Sequence, residues 1–367
     1  MQDIWHHILS LLPLRDAARA SRVSRTFLRS WRCHPNLTLE NFSHTIDCIL
    51  RRHSGVGVKT LILSLYDIAN NDNLDSWLQV AVAPGIEEIM LLAGRSKMEY
   101  NFPCSLLSEG IRNSIQRFQL RDCAFHPTPE LGPLSNLKRL CLQSVGITGY
   151  ELECFISHSR ALEWLELDDC QGIISLKIHS ELQQLNCIRV RGCRLRVLES
   201  KAPNLSDLAT TGKVKLFGET LQMKHLSMFF QNAVHYARAE LPSIMPNLER
   251  LSLASEQDVH TPMLPTKFMY LKHLTILFTS GLIFSPSYDY FSLVSFLDAS
   301  PSLETLILDV TQLRMGRISV FEDSSSLRQI DERHYCCLKS VKITGFSSAK
   351  RLVELVCHML KNAVSLD

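Results

Sequence analysis

With 367 residues, 46% of them hydrophobic, the chain has ample material for a large buried core, and its length is that of two or three structural units. Its 21% charged content and formal net charge of +2 exclude a global field that would mark the whole chain as a binder of nucleic acid or of a membrane surface. The opening Met1-Gln2-Asp3-Ile4-Trp5-His6 lacks a secretory pattern, so the twelve cysteines read as reduced thiols, and the longest apolar runs fall short of the roughly 20 residues that cross a bilayer.

The first pattern runs from Asp3 to Trp31 at helical spacing. Asp3 is placed to cap a helix carrying Ile4, Ile8, Leu11 and Leu12, Pro13 stops it, and Arg15 or Asp16 starts a second helix. Ser24 is placed to cap a third, whose apolar side is Phe27, Leu28 and Trp31. Three short helices in about thirty residues cannot build an independent core, so this module, residues 1–35, is expected to lean on a partner. Arginines 15, 19, 22, 25, 29 and 32 include several on one helical stripe. Without interleaved aromatics or a groove-binding motif, such a face is solvated or meets an acidic protein, and nucleic acid is disfavoured as a partner. Residues 36–57 read as a linker.

From 58 to 330 one phrase returns, Leu-x-x-Leu-x-Leu or a close relative. Clear copies start at Leu137, Leu162, Leu248 and Leu303, and looser ones at Ile86, Ile115, Leu185, Leu205, Met223 and Leu271, with a further one at Leu338. Most starts lie about 18 to 25 residues apart, the period of leucine-rich repeats. In Leu-x-Leu both leucines point to one side of a short strand and the residue between them to the other. One such strand cannot bury its apolar side, so the repeats must stack as a solenoid, with parallel strands on the concave wall and helices or turns on the convex side. Cys123, Cys170 and Cys193 stand where the chain leaves a strand, the Asn/Cys position of the repeat, and read as inward-turned thiols rather than metal ligands. Residues beside the leucines should project from the wall and hold a target, so Cys141, Gln143, Glu166, Asp168, Ser252, Ala254, Ile307 and Asp309 are the candidate substrate-binding positions.

Residues 331–367 change pattern again. Leu338 to Ile343 alternates like a strand, Gly345 turns it, and Ser347 or Ser348 is placed to cap a helix with an apolar face of Leu352, Leu355, Val356, Met359 and Leu360. No phosphate loop, nucleophile elbow or zinc helix occurs anywhere, and adjacent acidic pairs such as Asp168-Asp169 would point to opposite faces of a strand. No enzyme, metal or cofactor is expected.

Two of these patterns carry a family resemblance. Asp3-Ile4-Trp5 to Trp31, with Ser-Leu-Leu-Pro-Leu-Arg-Asp-Ala-Ala-Arg at 10–19 and Val23-Ser24-Arg25, resembles the F-box of plant F-box/leucine-rich-repeat/FBD proteins. Leu338-Lys339-Ser340-Val341-Lys342-Ile343-Thr344-Gly345-Phe346, with the helix after it, resembles the FBD segment of that family. The resemblance implies a non-catalytic substrate-recognition subunit of an SCF-type ubiquitin ligase, working in the cytoplasm or nucleus. Its F-box would dock on a Skp-type adaptor, and so on the cullin scaffold, through Ile4, Ile8, Leu12, Pro13, Leu14, Val23 and Trp31, while its repeat wall holds a target protein. Met1-Gln2 stands where the family usually opens with Leu-Pro, and Ser365-Leu366-Asp367 where it continues into a strand, so a truncated F-box start and FBD end are expected. The alternative is a repeat scaffold that binds a protein without engaging the ligase. The expected fold class is α/β: an N-terminal helical F-box, a leucine-rich-repeat solenoid and a C-terminal strand–helix FBD segment.

Overall fold

The computed structural model describes the chain except residues 1, 41–42, 66–72, 95–99, 219–220, 257, 280–287, 311–325, 329–332 and 367. It divides into two compact units, Met1–Asn204 and Leu205–Asp367.

The first unit begins with three short helices, α1 (Gln2–Ser10), α2 (Leu14–Ala20) and α3 (Arg25–Arg32). The Ser24 hydroxyl accepts a hydrogen bond from Phe27 N at 3.2 Å and caps α3 as the sequence predicts. The predicted Asp3 cap is corrected, because α1 already starts at Gln2. The stretch 36–57, read as a linker, holds β1 (Asn36–Glu40) and α4 (Ser43–Leu50). Leu37-Thr38-Leu39 alternates like every other copy and buries both leucines, but His34 occupies the position where a repeat normally opens with an aliphatic residue.

Then follow β2 (Thr60–Leu65), α5 (Leu74–Ala81), β3 (Glu88–Ala93), a 3-10 turn (Cys104–Leu106), α6 (Glu109–Arg112), β4 (Arg117–Arg121), a 3-10 turn (Pro129–Leu131), β5 (Arg139–Gln143) and α7 (Gly149–Ile156). The unit continues with β6 (Trp164–Asp168), β7 (Ser175–Ile178), β8 (Cys187–Arg191) and β9 (Val197–Ser200). Its main sheet is parallel in the order β1-β2-β3-β4-β5-β6-β8. The register runs straight across: Leu140 faces Leu165 and then Ile188, and Leu142 faces Leu167 and then Val190. All six side chains are buried. Behind this sheet β7 and β9 form a second parallel pair, and α7 sits so close to β7 that a Cβ on Gly149 would collide with the Ser175 carbonyl. Phe102, Phe118, Phe125 and Phe155 fill the intervening core, with ring centroids 5.0 Å apart for Phe125 and Phe155.

One backbone device recurs where strands end. Asp122, Ser144 and Asp169 follow β4, β5 and β6 directly, and all three take left-handed φ angles of 51°, 50° and 54°. Short polar side chains tolerate that region better than branched ones, which is why these corners carry Asp or Ser. The corner N–H extends the ladder to the next strand, for instance Asp169 N to Arg191 O at 2.8 Å, and the residue after it turns inward. Cys123 and Cys170 occupy that inward place and are fully buried, whereas Cys193 is half-buried.

The second unit contains β10 (Asp207–Thr211), β11 (Lys215–Gly218), β12 (His225–Gln231), α8 (Ala233–Ile244), β13 (Arg250–Glu256), β14 (His273–Phe278), a 3-10 turn (Tyr290–Leu293), α9 (Val294–Ala299), β15 (Thr305–Asp309), β16 (Ser340–Thr344) and α10 (Lys350–Asn362). Its main sheet is again parallel, β10-β12-β13-β14-β15-β16. Every copy of the phrase found in the sequence opens a strand, and the opening residues Leu205, Met223, Leu248, Leu271, Leu303 and Leu338 are buried. Helix α8 is capped from a neighbouring repeat: Ser255 Oγ accepts from Ala233 N at 2.8 Å and Asp258 Oδ1 from His235 N at 3.0 Å. On the same helix the buried Arg238 guanidinium ties the chain at Leu264 and Thr266 to Ser295 of α9. No helix among the described residues is long and apolar enough to cross a membrane.

Candidate functional site

Two surfaces of the first unit carry most of the residues singled out in the sequence. The front helices leave an apolar face open: Ile4 is 60% exposed, Leu11 72% and Val23 76%, with Trp5, Ile8, Leu12 and Pro13 exposed beside them. Trp5 rests on Phe27 with ring centroids 5.0 Å apart, which ties α1 to α3 without covering the indole. Leu14 and Trp31, predicted to touch the adaptor, are buried within the chain at 9% and 6% exposure. Leu14 opens α2 and Trp31 lies in the last turn of α3, and α2 packs on both α3 and β1, so these two side chains belong to the module's own packing. Trp5 and Leu11 belong to the open face but were absent from the predicted contact. The spacing Ile4, Ile8, Leu11 was the signal for Leu11, since those positions share one helical side.

What fixes this face to the repeats is a pair of buried histidines. His34 sends Nε2 toward the carbonyls of Leu9 at 3.1 Å, which also accepts from Leu12 N, and of Leu12 at 3.2 Å, just past the end of α1. Its Nδ1 accepts from Asn36 N at 3.2 Å, the first residue of β1. His53 then donates from Nε2 to the His34 carbonyl at 3.1 Å and accepts from Gly55 N at 3.0 Å. Burial holds the His53 imidazole below its ordinary pKa, so it stays neutral, as this donor–acceptor pattern requires.

The second surface is the side of the sheet facing away from the leucines. Cys141 on β5 stands opposite Glu166 on β6, and Gln143 opposite Asp168, so four of the predicted substrate-binding residues form one patch. All four are half-buried. Burial, and then the Glu166 charge, push the Cys141 thiol up to about 11, which leaves it protonated and a poor nucleophile. Gln143 Oε1 accepts from Arg121 Nε at 2.8 Å. Glu166 accepts from the Trp164 indole N–H at 3.3 Å and pairs with Arg191 at 2.6 Å, while Asp168 lies 3.6 Å from the same guanidinium. Leucine spacing points to only some of the positions between and just after the leucines, so it does not single out these arginines or Trp164. Ser252, Ala254, Ile307 and Asp309 lie in the second unit, half-buried on the corresponding side of β13 and β15, with Thr275 and Leu277 of β14 between them in register. Among the described residues no three His, Cys, Asp or Glu side chains gather as a metal-binding group.

A model of the F-box domain matches residues 2–38, and a model described as the At1g61320/AtMIF1 LRR domain matches residues 49–367. The chain belongs to the plant F-box/LRR/FBD family. It is 22% identical over 347 residues to the FBD-associated F-box protein At1g61320 of Arabidopsis thaliana, covering 88% of this chain and 74% of that protein. The F-box/FBD/LRR-repeat protein At1g13570 of the same plant is 23% identical over 404 residues, covering 100% and 88%. The F-box/LRR-repeat protein At3g58940, also of Arabidopsis thaliana, is 22% identical over 436 residues, covering 100% and 69%. In this family member the F-box match runs through α1, α2 and α3 into β1, so the segment read as a linker begins inside one match and ends inside the other. Neither matching model describes an enzyme.

Proposed function

We propose that this F-box/LRR protein is the substrate receptor of an SCF-type ubiquitin ligase, holding a Skp-type adaptor on its front helices and a target protein on the open side of its sheet. The observation that carries the reading is the exposed apolar face of Ile4, Trp5, Ile8, Leu11, Leu12 and Val23. A monomer keeps such large apolar side chains together on a surface when another protein covers them. The flanking arginines suit an acidic partner and would speed its encounter. Ubiquitin transfer then follows from proximity, with the target held beside the ligase's catalytic subunits and no reacting group supplied by this chain.

Co-purification with a Skp-type adaptor tests it. The intact chain is expected to retain the adaptor, and Ile8→Asp combined with Leu11→Asp to lose it while keeping the thermal midpoint, since both side chains are exposed. Adaptor retained by the double variant would overturn the proposed contact.

A further inference from the structure

On the open side of β4, β5, β6 and β8 the register sets out three rows: Arg117, Arg139, Trp164 and Cys187; Gln119, Cys141, Glu166 and Arg189; Arg121, Gln143, Asp168 and Arg191. Trp164 stands at the middle of this patch on β6. Its indole N–H is fixed on Glu166, and guanidiniums from the two flanking strands stack on its ring, Arg139 of β5 at 4.7 Å and Arg189 of β8 at 4.3 Å from the centroid.

The charges do not cancel evenly. Both carboxylates of the patch, Glu166 and Asp168, are engaged by Arg191, Arg117 pairs with Glu88, and Arg121 donates to Gln143. Arg139 and Arg189 have no carboxylate partner among the described residues. They are nevertheless held in place, because each guanidinium lies over the indole ring while its N–H donors stay outside any ion pair among the described residues. An arginine already oriented loses less side-chain freedom when it forms a bidentate hydrogen bond, and an oxyanion matches that fork.

We infer that the Arg139–Trp164–Arg189 stack is a receptor for oxyanion groups, carboxylate or phosphate, on an acidic segment of the protein docked on this sheet. This deepens the receptor reading above and rests on its target-binding surface. Two cations from strands on either side of β6, at most about 9 Å apart because both lie over one indole, favour a segment carrying at least two negative groups over an isolated anion.

The test measures fluorescence anisotropy of labelled peptides on the full chain bound to its adaptor: a short Glu-Ser repeat, the same repeat with phosphoserine for each Ser, and a neutral Gln-Ser version. The first two are expected to bind, to weaken as salt rises, and to weaken about tenfold or more with Arg139→Gln plus Arg189→Gln. The phosphorylated repeat binding more tightly than the Glu-Ser repeat would identify phosphate as the preferred group, and the reverse order carboxylate. Arg139→Lys plus Arg189→Lys, which keeps the charge and loses the flat fork, is expected to recover only part of the affinity. Arg250→Gln, on the corresponding side of β13, is expected to leave it unchanged. Equal binding by the Gln double variant, equal binding of the neutral peptide, or binding of a single-stranded oligonucleotide and of none of the peptides would each overturn the inference. Retention of the adaptor, scored in the same preparations, reports separately on the receptor reading.

Discussion

β1 and β16 each form one edge of a parallel sheet, carry the same alternation, and are covered differently. The inward leucines of β1, Leu37 and Leu39, are essentially inaccessible, whereas Val341 and Ile343 in the same places on β16 are half-buried. At the front, α2 packs on β1 and His34 draws the end of α1 onto the repeat. At the back, β16 and α10 leave an apolar groove of about 500 Å³ between Ile343, Phe346 and Met359, with Leu360 68% exposed at its rim. Alternation in a strand is therefore an offer of burial, and the neighbouring element decides whether it is taken up. A repeat end also needs a polar adapter where a helix stops against it, and His34 provides one in a position that is aliphatic in the other copies.

The sharpest way to break this contrast is to truncate one inward residue at each end. Leu37→Ala is expected to cost about 2–5 kcal/mol in urea unfolding, the range for a fully buried leucine, and Ile343→Ala well under half of that. Equal losses would mean that β16 is as well packed as β1. His34→Leu restores the aliphatic column but strands the Leu12 carbonyl, at about 1–3 kcal/mol, while Leu9 O keeps its bond from Leu12 N. Amide exchange should then quicken in α1 and stay unchanged in β16; no change in α1 would show that packing alone holds the front helices.

The ends share one property that acid should expose. Burial lowers the pKa of His53 at the front and of His358 on α10 at the back. A histidine whose folded pKa lies below its unfolded value, about 6.5, stabilises the fold above that value, and the contribution is lost as pH falls from about 6.5 through the folded pKa. Protection of both α1 and α10 should decline over that window. His53→Gln should flatten the decline in α1 only, and an unchanged slope there would assign the acid sensitivity elsewhere. The smallest effect belongs to the groove: Leu360→Ser, already exposed, should move the unfolding midpoint by no more than about 0.5 kcal/mol equivalent.

Legibility in the sequence followed the same division. The repeated phrase located the strands from β3 onward, except β7, β9 and β11, which do not carry it. β1 escaped because a buried histidine replaced the opening aliphatic residue, so the hydrophobic alphabet did not show a position that geometry holds constant. The front module is visible as three helices, but the spacing does not show that Leu14 and Trp31 are the buried members of its apolar set. In helices of seven and eight residues the apolar positions show that a face exists without showing which neighbour covers it. The open-face patch was half visible: Glu166 and Asp168 were found from the leucine spacing. The arginines engaging them and stacked beside them came into view only with the register between strands.

Because the strands of the first unit run in step, their open-side residues form rows that cross the sheet with one rung about every 4.8 Å. An α-helix laid along such a row completes a turn about every 5.4 Å and drifts by one rung only after about eight turns, more than the unit's strands span. An extended segment repeats its same-side residues about every 6.8 Å and loses step within two rungs. The backbone spacing is in this sense a ruler, admitting helical partners over a long row and extended ones at isolated points, before any side chain is read.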